Sequence, residues 1–380
     1  MSAVLSGNVL LDEFGSGDAR EREESWRYSK TALRALSQQD FVAANTQAEL
    51  ADSLRAQFEW PHTQGRRAVF INGAFSATYS ELSQIAGNVS IRHESENQWV
   101  LTISAGVAAP PLHLVYINVP GDAPSRWQAS CNMRIQSGEA AVIEQHLGAA
   151  GADVLGALTS QVTLHANTRL QMTTLSDLPD SASLLRRAHV EVEGDAAYRT
   201  THAILGSRLQ RFDLGVDLIG AQAHFDSRGV FVLRGRQHVD THLDIRHVAR
   251  DTTCNIVWRG VADERARGIF HGAITVAEGA DGSDAKLSNK NLLLSAQAEI
   301  DTQPVLEIYA DEVKAAHGAT VGQLDERALF YLRSRGIPLI EARRLMIGAF
   351  CKEVLDGVAD KALRKILEQR VQVVLPVDRT

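Results

Sequence analysis

Over residues 90–313 apolar and polar positions alternate, and the alternating runs are short. "WVLTISA", "HLVYINV", "VTLHANTRLQM", "HVEVEG", "VFVLRG", "CNIVWRG", "FHGAITVAE", "LLLSAQAEI" and "VLEIYAD" are rich in β-branched residues, with Gly or Asp between them. Alternation of this kind marks strands with one face buried. In the second half the runs recur about every 10 to 14 residues, a strand-and-turn spacing. More than about 200 residues of strand without a convincing helix exceed a sandwich of about 100. Stacked rungs solve the edge problem of so long a segment, so a β-helix is the preferred architecture and a large barrel its rival. No clean fixed-length repeat decides between them.

The flanks change period. Residues 19–58 read as helical: "AREREESWRYSKTALRAL" has charge at its front and sets Leu33 and Leu36 at helical spacing. "FINGAFSATYSEL" then places Asn72-Gly73 between two short apolar-rich runs, the composition of a tight turn. After His317 the spacing returns to that of a helix. "DERALFYLRSRG" can start with Asp325 as N-cap and stop at Gly336, and Pro338 suits the first turn of the next helix. There Ala342, Leu345, Met346, Ala349 and Phe350 fall on one face. "DKALRKILEQRV" adds a third helix through Leu363, Ile366 and Leu367. The chain thus divides into a mostly helical unit over 1–88, a β core over 89–316 and a helical unit over 317–380. The last unit reads either as a docking domain or as a cap on an open solenoid end. For docking it offers Leu332, Leu345, Met346 and Phe350 as apolar anchors, with Arg333, Arg335, Arg343 and Arg344 nearby.

Composition removes several function classes. The net charge of −7, from 39 Lys+Arg against 46 Asp+Glu, argues against a nucleic-acid partner. No apolar run approaches the length that spans a bilayer, and "MSAVLSGNVLLDEFGSG" lacks the basic start of a signal peptide. The expectation is no membrane partner and a cytoplasmic location. Cys131, Cys254 and Cys351 lie far apart and form no CxxC pair, which suits a reducing compartment. Three thiols also cannot hold a cluster on four thiolates of one chain.

Candidate chemistry is sparse. In "QHVDTHLDIRH", His238, Asp240, His242 and Asp244 share a face if the segment is a strand. Imidazoles and carboxylates at that spacing suit zinc or iron, but a solvated strand face gives the same alternation and is the preferred reading. "VAEGADGSDAKLSNKN" reads as a surface loop. The chain has no GxxxxGK[ST] loop, GxGxxG after a strand, GxSxG elbow or HExxH, so no ATPase or hydrolase machinery is legible. Cys351 reads as a half-buried structural thiol beside the apolar stripe. His317, in "DEVKAAHGATVGQ", stands in a run of small residues where the pattern of strands hands over to helices. It reads as a base, a metal ligand or a polar residue at a junction.

Longer stretches carry a resemblance. "EESWRYS" (Glu23 to Ser29), "VFINGAFSATYSEL", "LGSRLQRFDLGVDLIGAQAHFDSRGVFVLRGRQHVDTH" and the run from "GIFHGAITVAE" to "LFYLRSRGI" resemble the SufB/SufD family, the scaffold subunits of SUF iron–sulfur cluster assembly, and its SufD branch most. The resemblance implies a right-handed parallel β-helix between helical N- and C-terminal domains. It implies pairing with SufB along the β-helix, and docking of the ABC-type ATPase SufC on the C-terminal helices. ATP hydrolysis would then belong to SufC, and this chain would be a non-enzymatic scaffold binding no cofactor stably by itself. A transient iron–sulfur cluster at the SufB interface, and reduced flavin in the complex, are further implications. The family's interface histidine falls on His317, while Asn289 stands where SufB carries a cysteine. Two alternatives remain: a metal- or flavin-dependent reductase using His238, His242 and His317, and a SufB-like homodimeric scaffold.

Overall fold

The computed structural model describes residues 5–6, 26–85, 89–95, 98–104 and 111–375. Its body is a parallel β-solenoid of about 8 turns, with strands passed alternately to two sheets. In sheet I the strands Ser125–Ile135, Val154–Leu164, Ser183–Val192, Leu209–Leu218, His238–His247, Arg267–Val276 and Glu299–Ile308 stack in that order. Sheet II runs through Arg67–Ile71, Leu112–Asn118, Glu139–Gly148, Arg169–Asp177, Ala197–Ile204, His224–Leu233, Thr253–Ala262, Asp284–Leu293 and Lys314–Gly322. The β-helix reading holds over the barrel, because both sheets end in strands paired on one side.

The 10-to-14-residue recurrence is half a turn, and the full turn varies in length. Ser183 stands beside Leu209, 26 residues on, whereas Arg267 stands beside Glu299, 32 residues on. That drift hides a fixed repeat. One corner does repeat in conformation: Asn167, Asp195, Gln222, Asp251 and Gly282 all have positive φ, and each is followed by a buried small residue. Each donates its backbone N–H to a carbonyl in the corner of the next turn, as Asp195 does to Ala221 and Asp251 to Asp281. Corners, not strand lengths, set the stacking. Two of the runs read as single strands contain corners: "VTLHANTRLQM" turns after Leu164, and "LLLSAQAEI" leaves sheet II at Leu293 and enters sheet I at Glu299.

Inside the tube the walls are closed by apolar side chains, with Trp99, Tyr116, Phe225, Trp258 and Phe270 fully buried. One charge pair lies among them. Glu144 accepts from Arg186 across the interior, and His146 Nε2 stands 2.8 Å from the same carboxylate. Burial would raise Glu144, but the Arg186 guanidinium holds it well below the usual carboxylate range.

The N-terminal unit is less helical than its spacing suggests. Helix α1 covers Lys30–Ser37 and α2 only Asp52–Arg55, and residues 19–25 lie outside the described residues. Asp40–Ala43 is a strand beside Ser125–Ile135, because Phe41 is fully buried with Trp26 and Leu36 against sheet I. Asn72 (φ 47°) and Gly73 (φ 83°) form the expected tight turn, reversing Arg67–Ile71 into Ala74–Phe75. The solenoid therefore begins well before residue 89.

At the other end the strands run on past the expected boundary at 316, to Gly322. Helix α3 (Glu326–Ser334) starts with Asp325 accepting from the Arg327 and Ala328 amides, and Gly336 follows its end at φ 87°. Helices α4 (Leu339–Leu355) and α5 (Lys361–Val374) fold back onto the outer face of sheet II. Ile347, Cys351, Val354, Leu363 and Leu367 pack there against Leu205, Val230, Val232 and Val261. Cys351 is thus fully buried rather than half-buried.

Candidate functional site

Every turn but the last is covered by another. Glu299–Ile308 and Lys314–Gly322 end their sheets, so backbone N–H and C=O groups point outward along both edges. Burial collapses at the same place: no residue of Lys314–Gly322 is buried, and Ile308, Tyr309 and Val321 stand exposed.

His317 lies in the middle of this last strand, not at the strand-to-helix junction. It pairs with Leu287, a core residue, and in a parallel ladder paired residues project to the same side. The imidazole therefore stands on the interior side of sheet II with no further turn above it, and it is exposed. Asn289, paired with Ala319, is its diagonal neighbour in the ladder. The end presents a histidine among Ala315, Ala316, Gly318 and Ala319, with nothing within 4 Å of where a Gly318 side chain would begin. A second chain can approach that surface closely.

No thiolate is available to complete the site from this chain. Cys131 and Cys254 face the core, and Cys351 lies on the buried face of α4. Burial pushes the Cys131 thiol well above its ordinary value, and the other two to about 12.

The strand His238–His247 is solvated only in part: Asp244 is exposed and His242 half-buried, as the alternation suggests, but the start of the strand is covered. His238 and Asp240 are buried beneath the N-terminal segment. Ser29 Oγ donates to Asp240 Oδ2 at 2.5 Å and lies 2.8 Å from His238 Nε2; Trp26 stacks over Arg211, which donates to the same carboxylate at 2.8 Å. Burial pushes His238 down to about 4. For Asp240 burial acts upward, but Arg211 first, then His242 3.0 Å away, holds the carboxyl well below the usual range. This is the structural role of the Trp-Arg-Tyr-Ser stretch, whose signal in the sequence was the quoted motif alone. His242 stacks on His271 at 4.8 Å on the outer face of sheet I. His238 and His242 are thus in a different sheet from His317, and the structure does not bring the three together. Among the described residues no group of three or more His, Cys, Asp or Glu is arranged to hold a metal ion.

The docking residues expected on the C-terminal helices divide. Leu332, Met346 and Phe350 are half-buried, and Phe350 packs on the cluster beneath α4. Leu345 is 50% exposed; Arg333 and Arg335 are exposed too, the latter over the Tyr331 ring at 5.1 Å. Arg343 and Arg344 are half-buried, and Arg344 donates to the Gln372 carbonyl at 3.4 Å. The apolar stripe of α4 that meets the body is Ala342, Ile347, Cys351, Val354 and Leu355, not the one through Leu345 and Ala349. Both stripes are apolar. Arg259 decides between them: buried on sheet II, it takes Glu353 of α4 in two hydrogen bonds of 2.8 and 3.0 Å. Sequence reasoning missed two exposed aromatic groups of α3, Phe330 (72%) and Tyr331 (57%). A cleft of about 380 Å³ lies between the corner Leu293–Ala296 and helices α3 and α4, lined by Leu324, Leu329, Arg333 and Leu339.

Comparison with known proteins identifies the family. Residues 135–350, more than half of the chain, match the family model described as SUF system FeS cluster assembly, SufBD core domain. The iron–sulfur cluster assembly SufBD family protein of Synechocystis is 29% identical over 395 residues, covering 92% of this chain and 86% of that protein. Iron–sulfur cluster assembly protein SufD of Escherichia coli is 26% identical, covering 95% and 90%. SufD of Bacillus subtilis is 34% identical over 160 residues, 41% of this chain and 37% of its own. With the family model spanning the solenoid from its early turns into α4, the chain belongs to the SufBD family of iron–sulfur cluster assembly proteins.

Proposed function

We propose that this chain is a SufD-type scaffold subunit that pairs through its last turn with a SufB-type subunit and holds an ABC-type ATPase on the α3–α4 face. The observation that carries this reading is the uncapped end. Two edge strands, exposed Ile308, Tyr309 and Val321, and the single histidine His317 coincide there. Strand addition by a partner would satisfy the free backbone groups of that edge. A neutral imidazole can ligate iron or carry a proton near neutral pH. All three thiols of this chain are buried, so thiolate ligands for a nascent cluster come from the partner. His317 then serves as the nitrogen donor of a shared site, and the cluster is cargo.

Helices α3 and α4 fit the ATPase because their exposed apolar groups, Phe330, Tyr331, Leu339 and Leu345, sit beside Arg333 and Arg335 without covering the body's own core. Movement of this face on ATP hydrolysis would reach the last turn through the two residues, Gln323 and Leu324, between Gly322 and α3's N-cap.

Co-expression of the chain with SufB- and SufC-type subunits tests the reading. Val321→Asp is expected to release the first partner, and Phe330→Ser with Leu345→Ser the second, each leaving the other bound. His317→Ala is expected to leave the complex intact and lower cluster yield by roughly 10- to 100-fold, the usual loss for a group around a metal. Full yield from His317→Ala would sink the shared site. Retention of both partners by the surface variants would sink the docking surfaces.

A further inference from the structure

The last strand is held from one side only, yet it carries the histidine on which the proposed site depends. Beneath it lies a pair of buried carboxamides that reaches the last strand. Asn289 and Asn291 project into the interior, both essentially buried. In the ladder the place of Asn291 is taken one, two and three turns earlier by Gly260, Phe231 and Ile204. A buried carboxamide is costly unless its hydrogen bonds are made. Here most are. Asn291 Nδ2 donates to Asn289 Oδ1 and, at 3.2 Å, to the main-chain oxygen of Thr320. Thr302 Oγ1 donates to the same Asn289 oxygen at 2.8 Å, and Asn289 Nδ2 points to the Trp258 carbonyl at 3.4 Å. The two amides therefore join strands of both sheets at the open end, and the one that reaches the last strand is Asn291.

We infer that Asn291 is a positioning residue for His317. Its amide pins the strand Lys314–Gly322 at Thr320, three residues from the imidazole, and so fixes the height at which His317 is presented to a partner. Gly260 leaves room for it: a β-carbon there would fall 2.3 Å from Asn291 Oδ1. That oxygen has no hydrogen-bond partner and Asn291 is 2% exposed, so the side chain acts here through its NH2 group. This inference rests on the reading of His317 given above.

The test uses the full chain in complex with its partners, with Asn291→Leu as the main variant and Thr302→Val as a milder one. Hydrogen exchange is expected to quicken by about tenfold or more over residues 314–322, while Asp284–Leu293 keeps its protection. Cluster yield is expected to fall several-fold when His317 is present and no further when Asn291→Leu is added to His317→Ala. Thr302→Val should move both readouts in the same direction by less, and it decides the matter if Asn291→Leu does not fold. Unchanged exchange, or an equal loss of yield in both backgrounds, would overturn the inference. Full yield from His317→Ala alone would instead remove the functional reading, and the exchange measurement would then decide the clip by itself.

Discussion

The two ends of the solenoid are built from opposite materials. At the first, Phe70, Trp99, Tyr116 and Trp127 form a stack with centroid distances of 4.8 to 6.2 Å, and Phe75 packs its edge on Phe70. The Asn72-Gly73 turn folds the edge strand back on itself, and Trp26 and α1 cover the side of sheet I. At the last, the end strand of sheet II is mostly alanine, glycine and threonine with one histidine, Ile308, Tyr309 and Val321 stand exposed, and the backbone is unpaired at both edges. Large aromatic groups finish an end within the chain, because each removes a wide area from water. Small residues leave the end for something else to cover. Under the proposed function, the first end serves stability and the last serves assembly.

The largest expected effect tests that assignment directly. Phe70→Ala removes a fully buried ring from the finished end and is expected to cost about 3–5 kcal/mol in denaturant unfolding. Val321→Ala at the other end is expected to cost less than about 0.5 kcal/mol in the isolated chain, since the side chain is already exposed. Similar costs for both would mean that the last turn is as self-sufficient as the first, and the contrast would fail.

Acid should strike the covered turns. Burial pushes His113 and His202 down to about 3 and His247 to about 4. The unfolded chain protonates these groups near pH 6.5 while the folded chain resists, so the unfolded state binds more protons between about pH 6.5 and 4. Stability therefore falls as pH drops through that window, on the order of 1–2 kcal/mol per histidine by pH 5. Glu144 and Asp240 act further down. Their depressed values contribute stability above the ordinary carboxylate range near pH 4, and that stability is lost as pH falls below it. Urea melts at pH 7, 6 and 5 should show falling midpoints at constant slope. Flat midpoints would mean that these histidines are wetted rather than buried.

A smaller effect concerns the turn that closes the first end. Gly73 has a left-handed backbone, and a β-carbon there would meet the Trp127 ring at 2.7 Å. Gly73→Ala is expected to cost about 1–3 kcal/mol, read as a lower thermal midpoint. Gly318→Ala, with open space around it, should be near neutral in the same assay.

Much of this contrast was legible in the sequence. Two-residue alternation gave the strands, Asn72-Gly73 the turn, and Asp325 with Gly336 the limits of α3, because each depends on local backbone chemistry. The end of the β body at Gly322 was not legible. "KAAHGATVG" is small and polar enough to read as a linker, and it is a strand only because Asp284–Leu293 offers it a ladder. The buried side of α4 was missed for a similar reason, since Arg259, the partner that selects it, lies 94 residues away from Glu353. The polar strand around Asp240 looked solvated because its cover, Ser29, comes from 211 residues earlier. His317 could be singled out by its small neighbours, but its interior side follows from register with Leu287 alone. The apolar exposure of Phe330 and Tyr331 carries no local mark, as buried and exposed aromatic residues look alike in one sequence.

The smallest expected effect compares two helix caps with the same chemistry. Asp325 accepts from Arg327 and Ala328 at the start of α3, and Asp360 accepts from Ala362 and Leu363 at the start of α5. Replacing either by Ala leaves backbone donors without their partner, a loss of about 0.5–2 kcal/mol in helix stability. The consequences should differ, because the helices differ in what they cover. Helix α5 buries Leu363, Leu367 and Val371 against sheet II, so Asp360→Ala is expected to lower the global unfolding midpoint. Helix α3 buries only Leu329, and its loss exposes little of the core. Asp325→Ala should therefore leave the midpoint in place and appear only as faster hydrogen exchange over residues 326–334. It should also weaken ATPase retention, since Phe330 and Tyr331 are presented only when that helix is formed. Equal shifts of the global midpoint for the two variants would show that α3 is part of the body's cooperative unit, and that its exposed aromatic face is not a separate docking surface.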